Sequence, residues 1–232
     1  MKKIALFLGI VLFYIISYAQ SSVIDKCLDE LEPILKNANK VWVDGNTHYG
    51  MTAERAERYA FYCMSACDVI DKYINQIYDI DEKIDMLWTK VDLLSGILEM
   101  YETSAKGLSK SQYDIQSKRK VTALELISHV SNEISDKIDR ILEQYDVEEA
   151  LGEFYFNSKN YKEAQRCYST CVSKYNDLLT NGWKDTKSKK MGQKAYYWLG
   201  YSHYKLGETA IAKNYFDKAK TILNDDLIQG YK

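Results

Sequence analysis

Apolar side chains recur at alternating steps of four and three residues in the middle of the chain. They are Ile80, Ile84, Leu87, Val91, Leu94, Leu98 and Tyr101. This spacing places all of them on one face of an α-helix, as in a heptad repeat. Because a sustained coiled coil normally continues for longer, two long antiparallel helices packed on each other are the better interpretation.

Two earlier segments carry apolar residues at the same helical spacing. The first lies within residues 22–43 and contains Pro33, which removes one backbone donor and predicts a kink or two short helices. In the second, Thr52 is the predicted N-cap of a helix whose apolar stripe continues to Ile77. Both segments therefore supply helix faces that need a packing partner.

A further helix is predicted over residues 121–145, where apolar residues again recur at helical spacing. The polar stretch of residues 104–120 before it is predicted to be a loop or a frayed connector. The chain has a single proline and 11 glycines, too few for the many turns of a β-rich fold. We therefore expect an all-α protein with long helices in its N-terminal part.

The start of the chain has the pattern of a secretory signal peptide. A basic start at residues 1–3 precedes an apolar run over residues 4–16, and Ser17 and Ala19 precede Gln20. The alternative is an uncleaved anchor, but a span takes about 20 apolar residues and this run is shorter. We expect cleavage near Ala19–Gln20, export to the periplasm, cell envelope or exterior, and no integral span afterwards. The formal net charge of −2 gives no basic footprint for nucleic acid.

Two C-terminal segments share a pattern of large and small residues. In both, a Leu-Gly pair is followed by a small residue 13 positions after the leucine, an aromatic residue four later and a small residue three later. The first segment contains Leu151, Gly152, Tyr155, Tyr161, Ala164, Tyr168 and Cys171, and the second contains Leu199, Gly200, His203, Gly207, Ala212, Phe216 and Ala219. The glycine lets two helices approach closely, and the small residues receive bulky side chains from the facing helix.

This pattern resembles the tetratricopeptide repeat, a helix–turn–helix unit, over about residues 146–224. The sequence departs from the family pattern where tryptophan is favoured, at Glu148 and Tyr196, and it lacks the closing proline. The two leucines are 48 residues apart, whereas the family repeat is about 34 residues long. The resemblance implies antiparallel hairpins stacked as a right-handed array. The implied organisation is a signal peptide (1–19), an N-terminal helical region (20–145) and tetratricopeptide-like hairpins (146–232).

In that family the first helix of each hairpin lines a concave ligand-binding face. Carried onto this chain, the resemblance implies a groove lined in the first copy by Glu149, Glu153, Phe156 and Asn157, and in the second by Lys194, Tyr197, Tyr201, Tyr204 and Lys205. Tyrosines there would offer a large contact area with a hydrogen-bonding tip. The alternative is that these tyrosines pack against the N-terminal helices or the C-terminal tail. The two glutamates argue against the clamp for C-terminal carboxylates that some family members use.

No catalytic constellation is evident, and we expect neither an enzyme nor a bound cofactor or metal. The five cysteines include two pairs spaced one helical turn apart, Cys63/Cys67 and Cys167/Cys171, which leaves buried thiols, disulfides or a metal site open. The three histidines are isolated, and His203 occupies a core position of the repeat. The acidic cluster around Asp79 lacks the glycine of a calcium loop, so we expect it to cap the following helix.

The sequence thus predicts an exported protein-interaction or scaffolding module that binds a protein or peptide in a concave groove. The alternatives are a structural subunit of an envelope secretion or assembly complex and a helical carrier of glycan or lipid. The identity of the partner and the oligomeric state do not follow from the sequence.

Overall fold

A computed structural model of the chain describes residues 22–44, 52–103 and 109–223, and every regular element within them is helical. In chain order the α-helices are α1 (Ser22–Asp44), α2 (Ala53–Tyr73), α3 (Ile80–Thr103), α4 (Lys110–Val130), α5 (Lys137–Asn157), α6 (Tyr161–Thr180), α7 (Thr186–Lys205) and α8 (Thr209–Leu223). Short 3-10 segments, Ile74–Gln76 and Ser131–Glu133, follow α2 and α4. The prediction of an all-α fold is confirmed. The predicted signal peptide and His48 lie outside the described residues.

The chain divides into two compact units, one up to Ile127 and the other from Ser128 onwards. In the first unit α1 packs on α2 and α2 packs on α3. In the second, α5 packs on α6, α6 on α7 and α7 on α8. In each of these five pairs, the two helices follow one another in the chain and are neighbours in space, as in helical hairpins.

In the first unit the predicted apolar stripes form the core. Leu31 and Leu35 of α1, Cys67 and Ile70 of α2, and Leu94 of α3 are fully buried. The helix α1 continues through Pro33, so the alternative of two short helices is wrong.

The predicted cap residues are in place at both following helices. The hydroxyl of Thr52 accepts a hydrogen bond from the backbone N–H of Arg55, at 3.3 Å, at the start of α2. The carboxylate of Asp79 accepts one from the backbone N–H of Glu82, at 3.0 Å, at the start of α3. Both caps satisfy backbone donors that a helix N-terminus leaves unpaired.

The prediction of a loop over residues 104–120 is wrong from Lys110 onwards, because α4 begins there. Ser109 and Gln112 form a reciprocal capping box: the backbone N–H of Ser109 donates to the Gln112 side chain at 3.0 Å, and that of Gln112 donates to the Ser109 hydroxyl at 3.4 Å. Further along the segment that was predicted as a loop, charge ties the helix to α2. Arg119 donates to Asp68 at 2.7 Å and to Asp71 at 3.1 Å.

The continuous helix predicted over residues 121–145 is also wrong, since α4 ends at Val130 and α5 begins at Lys137. The carboxylate of Asp136 caps α5 by accepting from the backbone N–H groups of Ile138 and Asp139, at 2.8 and 3.0 Å. The break therefore coincides with a strong N-cap residue that the apolar pattern alone did not reveal.

The second unit carries the repeated Leu-Gly pattern on α5 and α7. A Cβ atom added at Gly152 would lie 2.9 Å from the ring of Tyr168 on α6, and one added at Gly200 would lie 3.1 Å from the ring of Phe216 on α8. The small residues Ala164 and Ala212 on the second helices are buried. The prediction that the glycines allow close helix approach is confirmed.

Candidate partner-binding surface

The helices α5 and α7 of the second unit present neighbouring faces. The ring of Phe156 on α5 lies 5.1 Å from the ring of Trp198 and 5.1 Å from that of Tyr201, both on α7. Two turns earlier, the ammonium group of Lys194 donates to the carboxylate of Glu149 at 2.6 Å. These contacts make the outer sides of the two helices one continuous surface, with aromatic rings towards the C-terminal ends of the helices and charged groups towards their N-terminal ends.

The aromatic part of this surface consists of Phe156, Trp198, Tyr201 and Tyr204, and we refer to it as the aromatic surface. Tyr204 is 52% exposed, while the other three side chains are half-buried. The rings of Tyr201 and Tyr204 are stacked, with centroids 6.1 Å apart and planes 18° apart. The indole of Trp198 lies 5.8 Å from Tyr201. Mutual ring packing fixes the orientation of these side chains before any ligand binds, which lowers the entropic cost of binding.

Helical spacing explains why these side chains point outward. On α7 the residues Ala195, Leu199 and Ser202 are buried against the neighbouring helices. Residues Tyr201 and Lys205 are one turn apart on the opposite side of the same helix. The ammonium group of Lys205 lies 5.0 Å from the centroid of the Tyr201 ring, a cation–π distance.

Of the nine groove residues predicted from the sequence, the structure brings together five, four of them on α7 and Phe156 on α5. Tyr201, Tyr204 and Lys205 contact one another as described, and Tyr197 lies 6.1 Å from Tyr201 between ring centroids. Tyr197 is half-buried and also packs on Phe216 of α8, at 5.6 Å. It therefore contributes to the α7–α8 hairpin as well as to the edge of the surface.

Three of the other four predicted residues, Glu149, Glu153 and Asn157, follow one another along α5 at intervals of one turn. Glu149 is tied to α7 through Lys194 and also accepts a hydrogen bond from the hydroxyl of Tyr145, at 3.3 Å. Glu153 and Asn157 are exposed. Glu153 precedes Phe156 by three residues, so its carboxylate neighbours the aromatic surface on the same helix.

Trp198 was not predicted to belong to the site. The family pattern places tryptophan two residues earlier, so Trp198 did not match a known position. Its helical spacing to Tyr201, three residues later, was the signal that could have revealed it.

The α5 face beyond Glu149 is acidic. Asp139, Glu143 and Asp146 precede Glu149 at steps of four, three and three residues. Desolvation, followed by repulsion from the carboxylates of Glu149 and Glu143, raises the pKa of Asp146 to about 6, although Lys187 and Lys194 act to lower it.

The histidine of the second copy has a packing role. His203 is 7% exposed and its Nδ1 atom lies 2.5 Å from a carboxylate oxygen of Glu208, at the turn between α7 and α8. The side-chain amide of Gln165 on α6 lies 3.0 Å from the same ring. The prediction of a packed core histidine is confirmed.

The cysteines of both units are buried and free. Burial raises the pKa of every thiol, to about 11 for Cys27 and about 12 for Cys67 and Cys167. Such thiols are weak nucleophiles.

Among the described residues, no three His, Cys, Asp or Glu side chains are placed to hold a metal ion together. Within residues 22–44, 52–103 and 109–223, no helix has both the length and the apolar character that a membrane span requires.

The second unit matches a known family. Residues 149–173 and 193–224 match the family model of the tetratricopeptide repeat. The first range covers the C-terminal part of α5 and most of α6, and the second covers the C-terminal part of α7 and all of α8. No curated protein matches the chain significantly. The match and the paired helices agree with the resemblance inferred from the Leu-Gly pattern, and the C-terminal part of this all-α chain is therefore tetratricopeptide-like.

Proposed function

We propose that this chain is an exported protein-interaction or scaffolding module, not an enzyme, and that it binds a protein or peptide partner through the aromatic surface. The observation that carries the proposal is the set of stacked rings that remain accessible on α7, above all Tyr204 at 52% exposure. Exposed aromatic side chains of this kind are enriched where proteins bind one another. The tetratricopeptide match to the same two hairpins suggests the same role.

The side chains of the aromatic surface are suited to binding a partner and do not require a catalytic step. Tyrosine and tryptophan supply large, rigid contact areas and can also donate hydrogen bonds to a partner. The charged groups around them, such as the Glu149–Lys194 pair, form a polar rim. Export is inferred from the basic and apolar start of the chain.

The alternative of a structural subunit that assembles through the first unit has less support. Large exposed apolar side chains in that unit are Val43, Phe61, Tyr78 and Ile115, and they lie on four different segments of the chain. Single exposed apolar residues are normal on protein surfaces. The second unit instead has three such residues, Tyr204, Leu206 and Ile211, within eight positions of one another.

The test is a tagged co-purification from the source cells after mild crosslinking. The wild-type chain is compared with a Tyr197→Ala/Tyr201→Ala/Lys205→Ala variant whose helical content and thermal unfolding are checked by circular dichroism. We expect a protein that co-purifies with the wild type and is lost with the folded variant, because truncating aromatic contacts at an interface costs about 2 kcal/mol or more each.

The matched control is Tyr78→Ala, which removes a tyrosine that is 92% exposed in the other unit. This variant should retain the partner. A partner that the triple variant retains would place the interface elsewhere, and recovery of no protein with the wild type would contradict the proposal.

A further inference from the structure

The turn after α6 contains the only Asn-Gly pair in the sequence, Asn181 and Gly182. Both residues are exposed. Gly182 has a φ angle of +88°, and a Cβ atom added at this position would have no other atom within 4 Å. Glycine is therefore favoured here for its backbone conformation and not for close packing.

Two backbone hydrogen bonds close the end of the helix. The N–H of Gly182 donates to the carbonyl of Leu179 at 3.1 Å, and the N–H of Trp183 donates to the carbonyl of Leu178 at 3.0 Å. Together with a glycine in the left-handed conformation, these bonds form a Schellman motif. We refer to this motif, residues 178–183, as the α6 cap.

Asn181 is held in the α6 cap by its side chain as well as by its backbone. Its backbone N–H donates to the carbonyl of Asp177 at 3.0 Å, and its side-chain amide donates to the same carbonyl at 2.7 Å. Its φ and ψ angles are −86° and 10°. The amide nitrogen of the side chain is therefore directed back along the helix.

An Asn-Gly pair can lose ammonia by reaction with its own backbone. The backbone nitrogen of the glycine attacks the side-chain carbonyl carbon of the asparagine. The proton of that nitrogen ends on the side-chain amide nitrogen, whose bond to carbon breaks to release ammonia. Water then opens the resulting succinimide ring to give aspartate or isoaspartate. Glycine favours the attack because it has no Cβ atom to obstruct ring closure.

We propose that Asn181 is a site of spontaneous deamidation and that the α6 cap controls the reaction. In the cap the N–H of Gly182 is bound to Leu179, so the attacking nitrogen keeps its proton and its position. Asn181 must also release Asp177 before its side chain can turn towards Gly182. The reaction therefore proceeds from molecules in which the cap has opened, and helix ends open at little cost in free energy.

The product changes the end of α6 in two ways. A new carboxylate at position 181 lies at the negative end of the helix dipole and one turn after Asp177, and both arrangements are unfavourable. In isoaspartate the backbone runs through the former side chain and gains one atom, so the spacing of the two cap bonds no longer fits. The reaction needs no enzyme and no partner protein, and each product weakens the α6 cap.

Peptide mapping by mass spectrometry tests the proposal. The full chain is incubated at about pH 8 in buffer and in urea, and trypsin then releases residues 175–184, which contain the pair. We expect Asn181 to convert to aspartate and isoaspartate about tenfold or more slowly in buffer than in urea, because urea abolishes the cap. Asn176 lies in the same peptide and precedes Asp177, so it serves as an internal control that should stay unconverted.

Two substitutions at one position isolate the effect of the cap. Trp183→Pro removes the N–H that donates to Leu178, whereas Trp183→Ala loses the same indole and keeps that N–H. We expect conversion in buffer to be about fivefold or more faster in the proline variant than in the alanine variant, with similar rates in urea. Circular dichroism checks that both variants keep the helical content of the wild type. Gly182→Ala should suppress the reaction in urea, where its φ angle no longer matters.

Four results would each overturn the proposal. No conversion of Asn181 in urea would exclude the site, and equal rates in buffer and in urea would exclude control by the α6 cap. Equal rates of the proline and alanine variants in buffer would show that the cap bond of residue 183 has no part in that control. Conversion of Gly182→Ala as fast as the wild type in urea would exclude attack by the glycine nitrogen.

Discussion

At the scale of single residues, the sequence pattern predicted the contacts of the repeat but not those outside it. Gly152 and Gly200 were predicted to allow close helix approach because both occupy the same repeat position, and both face an aromatic ring on the next helix. Gly192 lies outside the repeat pattern, and a Cβ atom there would overlap the ring of Tyr175. Gly192 and Tyr175 are 17 positions apart, and their contact depends on how α6 and α7 pack. No local feature of the sequence indicates such a contact.

We predict that Gly192→Ala destabilises the second unit by about 1–3 kcal/mol, the usual cost of overpacking a core. Tyr175 is 6% exposed and has little room to move away from the added methyl group. Urea unfolding followed by circular dichroism measures the change. Tyr175→Leu should relieve the overlap, so the double variant should lose less stability than the sum of the two single variants; strict additivity would contradict the contact.

At the scale of helices, the prediction succeeded where apolar periodicity dominates and failed at both ends of α4 and at the start of α5. The stripe of α3 and the caps Thr52 and Asp79 were predicted correctly. The start of α4 was missed because its capping box, Ser109 with Gln112, is followed by largely polar residues, and an ion pair from Arg119 to α2 lies further along the helix. An ion pair between two helices that are distant in the chain produces no periodic pattern in the sequence.

We predict that the first unit loses stability as pH rises through the weakly acidic range. Asp92 on α3 is half-buried, and burial raises its pKa from 3.8 to about 7, although Lys120 on α4 acts to lower it. Between these two values the folded state binds more protons than the unfolded state, so the free energy of unfolding falls with rising pH and levels off above about pH 7. Urea midpoints should therefore be higher at about pH 5.5 than at about pH 8.

The variant Asp92→Asn isolates this contribution. It should raise the free energy of unfolding at about pH 8 by about 1–2 kcal/mol and reduce the difference between the two pH values. An unchanged pH dependence in the variant would show that Asp92 is solvated in the folded protein.

At the scale of the whole chain, the all-α class and the pairing of consecutive helices followed from low proline content and repeated apolar stripes. The accessible rings of α7 were predicted through the family resemblance, which named Tyr201, Tyr204 and Lys205. The contacts of Trp198 with Phe156 and Tyr168 were not predicted, because they depend on the packing of α7 beside α5 and α6. Whether the cysteines are free thiols, disulfides or metal ligands could also not be decided from the sequence, because a spacing of one helical turn is compatible with all three.

We predict that all five thiols are protected in the native protein. They are buried in both units, and their raised pKa values keep them protonated at neutral pH. Reaction with a disulfide reagent at about pH 8 should be about 100-fold or more slower in buffer than in urea. Mass spectrometry identifies the modified residues, and rapid modification of any cysteine in the folded chain would contradict its burial.

The ring packing around Trp198 also has an optical consequence. Its indole lies within 6.0 Å, between ring centroids, of Phe156, Tyr168, Tyr197 and Tyr201. Rings held this close and at fixed angles couple their electronic transitions, so the folded second unit should give a strong near-ultraviolet circular dichroism signal. A partner seated on Tyr201 changes the surroundings of the neighbouring indole, and the emission of Trp198 can then report binding without any added label.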